Sequence, residues 1–200
     1  MGTPYCQPSD VIDICSWPTF ASLSSTQQTR LINAASTRVD SHCRRPFGFS
    51  QQVVTETIDG KNQPSIYLAL RPVVQILGVT INSYSLDNTL GNAWTVNPNS
   101  GRLVRSDGLD WPRFGAFFPA GLQNVAVQYW GGYNPVPDEI VTATAWICRW
   151  LQDQGKLSGL FAEEAIGDYS YKLRDKIISQ TLPEHIAALL AAYVQEDAFV

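Results

Sequence analysis

The hydrophobic periodicity of this chain changes twice, and this limits the folds that are open to it. Both ends carry apolar residues at helical spacing, whereas residues 50–136 carry short runs rich in β-branched residues. The sequence therefore predicts an α+β fold. We expect a mainly α-helical bundle body, built from residues 1–50 and 134–200, with a small antiparallel β-sandwich or barrel-like module inserted over residues 51–133.

Helices are predicted in the first fifty residues. A short helix over residues 10–15 ends before Trp17-Pro18, because proline disfavours helical geometry in the residue before it. A longer helix over residues 26–43 begins at a capping-box pattern of Ser and Gln, and its apolar residues fall on one face. The longer helix is therefore expected to bury one side only.

The middle part alternates between short β-branched runs and turn residues. Antiparallel strands are predicted over residues 52–58, 66–70, 73–81, 94–96, 102–104 and 124–130. The sequence between the fourth and fifth of these runs, Asn97-Pro98-Asn99-Ser100-Gly101, is typical of a hairpin loop.

The last part contains two predicted helices and a segment between them without helical period. The helix that begins near Asp138 is apolar almost all round, which places it in the middle of a bundle or between subunits. A final helix opens at Pro183 and carries one apolar stripe. Residues 155–181 are predicted to form a loop that extends into a strand-like arm.

Charge and composition restrict the classes of function. Only 16% of the residues are charged, the net charge is −4, and the acidic excess lies in residues 137–200. Few charges leave a neutral surface of the kind that subunit interfaces need, and a net negative chain is a poor candidate for a free nucleic-acid binder. No segment approaches the length of a membrane span, so no membrane partner is expected.

No pattern of catalytic or cofactor-binding residues stands out. The sequence lacks nucleophile elbows, phosphate loops, dinucleotide fingerprints and zinc-protease motifs, and its four cysteines are scattered in a way that favours buried, reduced thiols. We therefore expect no enzyme activity, no metal and no cofactor. The alternative function is a β-sandwich carbohydrate-binding module of a phage or bacterial protein, with Trp94, Trp111 and Trp130 stacking on sugars.

Several short motifs, in order along residues 5–194, resemble the phage head-to-tail connector (adaptor) family. They are Tyr5-Cys6, Leu31–Ser36 with Val39-Asp40, Cys43 and Arg45-Pro46-Phe47, Arg71-Pro72-Val73, Val125–Tyr133 leading to Val136-Pro137, Ile166–Tyr171, and Leu182-Pro183 before a helix that ends near Tyr193. The resemblance implies a structural virion protein of the neck, assembled in the host cytoplasm. It implies a homo-oligomeric ring of about twelve copies, in which the helical body of residues 1–50 and 134–200 forms the ring and docks under the portal protein. Such a ring extends the DNA channel, which genomic DNA crosses without sequence-specific binding, and offers a platform for tail-side stopper or tail tube proteins.

The same resemblance, with the apolar and acidic patterning of the last part, gives two sets of candidate site residues. The inter-subunit or portal contact set is Ile166, Gly167, Asp168, Tyr169, Ser170, Tyr171, Leu189, Leu190, Tyr193 and Phe199. For Leu189, Leu190 and Tyr193 the alternative is packing in the subunit's own core. The set expected to face the channel is Glu163, Glu164 and Asp168, because a negative lumen lets DNA slide.

Overall fold

The computed structural model describes residues 4–86, 93–106, 116–158, 163–166, 169–172 and 182–195. The chain divides into two compact units. The first, called the helical unit here, contains Met1–Arg44 and Val136–Gln195, and the second, called the β unit, contains Arg45–Pro135 with Glu196–Val200.

The described residues form four α-helices, nine strands and two 3₁₀ turns. In chain order they are α1 (Pro8–Cys15), a 3₁₀ turn (Pro18–Ser22), α2 (Ser25–Cys43), β1 (Gln52–Gly60), β2 (Ser65–Tyr67), β3 (Val73–Ile81), β4 (Tyr84–Ser85), β5 (Trp94–Asn97), β6 (Arg102–Arg105), β7 (Gly121–Gly131), α3 (Asp138–Ser158), β8 (Glu163–Ile166), β9 (Tyr169–Lys172), α4 (Glu184–Leu190) and a 3₁₀ turn (Ala191–Tyr193).

The ends of α2 follow from its sequence. The Gln27 N–H donates to Ser24 Oγ at 3.3 Å and the Ser24 N–H donates to Gln27 Oε1 at 3.0 Å, which is the predicted capping box. Arg44 ends the helix in the left-handed region, with φ of 55°. Helix α1 begins two residues earlier than predicted, because the Gln7 N–H donates to Asp10 Oδ2 at 2.6 Å and makes Gln7 the cap.

Helix α3 is the centre of the helical unit. It packs against α1, α2 and α4, and none of its residues from 140 to 154 is exposed. Its fully buried side chains are Ile140, Ala143, Thr144, Ala145, Ile147 and Cys148. This helix, which is apolar almost all round, is therefore buried on several sides by other helices of its own unit. That burial agrees with the first of the two predicted locations, the middle of a bundle.

The β unit is built from two antiparallel sheets. One has four strands in the order β1-β7-β3-β4 and the other three strands in the order β2-β6-β5. Their buried side chains form one core, which includes Val54, Leu68, Leu103, Phe118, Val127 and Tyr129. Strands β5 and β6 flank the predicted hairpin loop, with Val96 opposite Leu103.

The prediction of a mainly helical bundle was wrong, because strands are about as common as helices among the described residues. Helices α1 and α4 are short, and part of the segment between α3 and α4 forms strands. The broader α+β class is confirmed. No helix in the described ranges combines the length and apolar character needed to cross a bilayer.

Candidate interaction surfaces

The predicted contact segment lies mostly in a two-stranded ribbon formed by β8 and β9. Ile166 lies opposite Tyr169, Ala165 opposite Ser170, and Glu164 opposite Tyr171. Gly167 and Asp168, which separate the two strands in the sequence, lie outside the described residues. The backbone of this segment is thus extended and paired, in the manner of an arm rather than an irregular loop.

Pairing in this ribbon is local. In the described part of the chain, β8 and β9 pair with each other and with no third strand, so each has one edge without a strand neighbour. A lone two-stranded ribbon is marginally stable in water.

Two of the predicted channel-facing acids, Glu163 and Glu164, lie on strand β8 of this ribbon. In the register, Glu163 is opposite Lys172 and Glu164 is opposite Tyr171. Asp168 lies outside the described residues.

The C-terminal apolar stripe of the helical unit divides between core and surface. Of the predicted contact residues in this stripe, Leu190 is fully buried, whereas Leu189 and Tyr193 are half-buried and are the two that a partner could reach. The Tyr193 hydroxyl donates to Glu139 Oε2 at 3.1 Å, which fastens the end of the α4 segment to the start of α3. Phe199, the last predicted contact residue, lies outside the described residues.

The helical unit also has a groove of about 410 Å³ that sequence reasoning missed. Its walls come from three segments far apart in the sequence, namely Ile14 and Cys15, residues 146–153 of α3, and residues 183–186 at the start of α4. Trp146 meets the His185 ring edge-on at 5.5 Å between centroids. Arg149 pairs with Asp153 at 3.1 Å and lies over the Trp17 ring. The groove is apolar with a paired cation at its wall.

A buried polar network lies inside the β unit and was also missed. The Ala69 N–H donates to Glu56 Oε2 at 3.0 Å, the Tyr129 hydroxyl donates to the same oxygen at 2.8 Å, and the Leu70 N–H donates to the Tyr129 hydroxyl at 3.0 Å. Burial raises the pKa of Glu56 more than these two donors and Arg71 lower it. Burial and the Glu56 carboxylate also raise the pKa of Tyr129.

Three of the thiols of the helical unit, those of Cys6, Cys15 and Cys148, lie close enough to interact. Cys6 and Cys148 are buried, and the pKa of Cys148 is raised by its hydrogen bond with Cys6, by burial and by Cys15. Burial also raises the pKa of Cys15, whose Sγ donates to the Ala145 carbonyl at 3.3 Å. A thiol held protonated is a weak nucleophile and a weak metal ligand. Within the described ranges, no three His, Cys, Asp or Glu side chains converge as a metal site would require.

The tryptophans of the alternative carbohydrate-binding function are not assembled into one platform. Trp94 lies on β5 of the three-stranded sheet and is partly buried against the core, whereas Trp130 lies on β7 of the other sheet and is partly exposed. Trp111 lies outside the described residues. A sugar platform needs its rings on one face, so the two described rings do not make one.

Within the described residues, the features that bear on function are a two-stranded ribbon, an apolar groove and a group of buried thiols. Comparison with known proteins gives the class of protein to which they belong. The family model of the head completion protein matches residues 10–195, so the chain belongs to the head completion protein family. That membership confirms the connector resemblance, the structural rather than enzymatic class, and the place of the protein in a phage-type virion.

Solved structures share the fold. A chain from the neck of a native gene transfer agent (GTA) particle, computed with C12 symmetry, matches at a TM-score of 0.54 and 10% identity over 96% of this chain and 93% of that chain. A neck chain of the empty GTA particle, computed with C6 symmetry, matches at 0.53 and 10% identity over the same shares. A chain of the native GTA virion matches at 0.56 and 12% identity, covering 96% and 92%. No curated protein matches the sequence.

Proposed function

We propose that this protein is a ring subunit of the virion neck. In this proposal it docks under the portal protein, extends the DNA channel, and offers a platform for the tail-side stopper or tail tube protein. The observation that carries the proposal is the near-complete fold match to GTA neck chains, whose particles were computed with twelvefold and sixfold symmetry. Family membership over residues 10–195 supports the same role.

The β8–β9 ribbon and the reachable part of the C-terminal stripe are proposed as contacts with neighbouring subunits or with the portal. In the described ranges no third strand pairs with the ribbon, and a strand from another chain can add to such an edge through main-chain hydrogen bonds. Leu189 and Tyr193 are half-buried on one short segment and would add an apolar contact. Phe199 belongs to the same proposal on its sequence alone.

We further propose that acidic residues of the last part line the channel. Residues 137–200 carry ten acidic and five basic groups, with Glu163, Glu164 and Asp168 among the acids. A ring of about a dozen copies at −4 each carries a charge on the order of −50. Because DNA phosphates are held by cations, a lumen of this sign lets DNA pass without retaining it.

One experiment tests the ring and its dock together. The purified protein is measured by native mass spectrometry alone and after mixing with purified portal, and both samples are imaged by negative-stain electron microscopy. We expect closed rings stacked coaxially on the portal, with a mass increase that is a whole multiple of 22.1 kDa. A protein that stays solitary with portal present, and in finished particles, would contradict the proposal.

A further inference from the structure

The four-stranded sheet of the β unit has one face that the core does not use. Val54 of β1 and Tyr129 of β7 are register partners, and both are buried in the core. Their sequence neighbours Val53 and Trp130 are also partners and lie on the opposite face, where they are 42% and 39% exposed. We call this opposite side the outer face.

Two β-bulges in β3 enlarge the apolar part of the outer face. The register moves from Val73 opposite Gly131 to Gln75 opposite Trp130, and Val74 is the extra residue. It moves again from Ile76 opposite Tyr129 to Gly78 opposite Gln128, where Leu77 is the extra residue. A bulge sets two residues against one, so Val74 and Leu77 are added on the side of Trp130 and Gln128. They are 56% and 43% exposed.

The outer face carries no charge over three consecutive rows of the sheet. Its residues there are Val53, Thr55, Thr57, Ala126, Gln128, Trp130, Val74, Gln75, Leu77 and Thr80. A cluster of exposed aliphatic side chains around a tryptophan, without Lys, Arg, Asp or Glu, has the composition of the centre of a protein interface. It is a poor surface for nucleic acid, because cations supply most of the attraction to phosphate groups.

Charge also indicates which protein covers this face. Copies of this chain each carry −4, and a surface without charge lets two copies approach without adding to the repulsion between them. A different partner could instead use the acidic groups of the chain through complementary cations. In a closed ring every subunit has a neighbour on each side, and the two contacting patches differ.

We propose that the outer face is the surface through which one copy of this chain contacts its neighbour in the ring, with Trp130, Val74 and Leu77 at its centre. This inference rests on the proposed ring function and deepens it by naming the patch. The neighbour covers it with a different surface, as the cyclic arrangement requires.

Photo-crosslinking in assembled particles tests the partner directly. The photoreactive residue p-benzoyl-phenylalanine replaces Leu77 in the full chain, particles are assembled and irradiated, and adducts are identified by mass spectrometry. We expect adducts of two chains, twice 22.1 kDa. The matched control places the same residue at Tyr84, an 80% exposed position on β4, where no self-adduct is expected. Adducts at position 77 with another virion protein, or none, would overturn the proposal.

A charge substitution gives an independent readout. Val74 is exposed at a bulge, so we expect the fold to tolerate lysine there. Val74→Lys should weaken self-association at least tenfold, measured by sedimentation velocity in the presence of portal. Tyr84→Lys should change it less than twofold. Equal self-association of Val74→Lys and the parent protein would overturn the proposal. If rings form on the portal but the crosslink at position 77 joins another virion protein, the proposed ring function stands and only the proposed contact patch is wrong.

Discussion

Glu56 has a carboxyl group whose surroundings favour its neutral form. Most of its environment is protein, and the donors from Ala69 and Tyr129 only partly offset the loss of hydration. The carboxyl joins residues 13 and 73 positions away in the sequence. It therefore fastens the segment after β2 to the four-stranded sheet, and does so at an electrostatic cost once the group is ionised.

The direction of the pKa shift fixes the pH dependence of this cost. Because the pKa of Glu56 is raised in the folded state, its contribution to the free energy of unfolding is fully present below the ordinary pKa and is lost as pH rises through the folded pKa. Glu56→Gln keeps a carbonyl oxygen as acceptor and removes the charge. We expect the stability of Glu56→Gln relative to the parent protein to increase from pH 4 to pH 8, measured by urea unfolding.

The control for this prediction is Glu184→Gln, the same change at an exposed position of α4. Its stability relative to the parent protein should change little between the two pH values. A relative stability of Glu56→Gln that fell with rising pH would show that the ionised carboxylate stabilises the fold, and would remove the argument from burial.

At the level of elements, α3 determines the packing of the helical unit. Ile147 is fully buried in a helix that contacts three others. Ile147→Ala removes its contacts and leaves a cavity, so it should lower the free energy of unfolding by about 2–5 kcal/mol. Gln152→Ala, at a half-buried position of the same helix, should cost less than about 1 kcal/mol. Denaturant unfolding measures both, and similar costs would mean that α3 is loosely packed.

The β8–β9 ribbon should matter to assembly more than to folding. Ile166 and Tyr169 are register partners at the end of the ribbon, and its strands have no third strand beside them in the described ranges. We expect Ile166→Ala/Tyr169→Ala to leave the melting temperature of the isolated protein within about 3 °C of the parent. Particles carrying the variant should lack joined tails, counted by electron microscopy. Normal tail joining in these particles would contradict a contact role.

The elements that could be predicted from the sequence are those set by neighbouring residues. The Ser24–Gln27 capping box, the β-branched runs of β1 and β3 and the all-round apolar pattern of α3 each act within a few residues. The groove beside Trp146, the Glu56 network and the bulges at Val74 and Leu77 depend on segments brought together by folding. No local pattern in the sequence encodes these juxtapositions.

At the level of the whole molecule, charge is sparse. Lys, Arg, Asp and Glu make up 16% of the residues, against about 25% in ordinary domains. A subunit with few charges gains little from ion pairs with its neighbours. Its association must come mainly from covering apolar surface, and the net −4 on each copy opposes that association.

Salt dependence follows from this balance. Raising NaCl from about 50 to about 500 mM shortens the Debye length from more than 10 Å to a few ångströms, which screens the repulsion between like-charged copies but leaves apolar contacts in place. We therefore expect the ring population on the portal, measured by sedimentation velocity, to stay constant or grow as salt rises. Sodium sulfate at equal ionic strength should favour rings more than NaCl, because sulfate strengthens the burial of apolar surface. Rings that dissolve as salt rises would show instead that ion pairs between neighbouring copies hold the assembly, and an apolar interface would then be the wrong account of it.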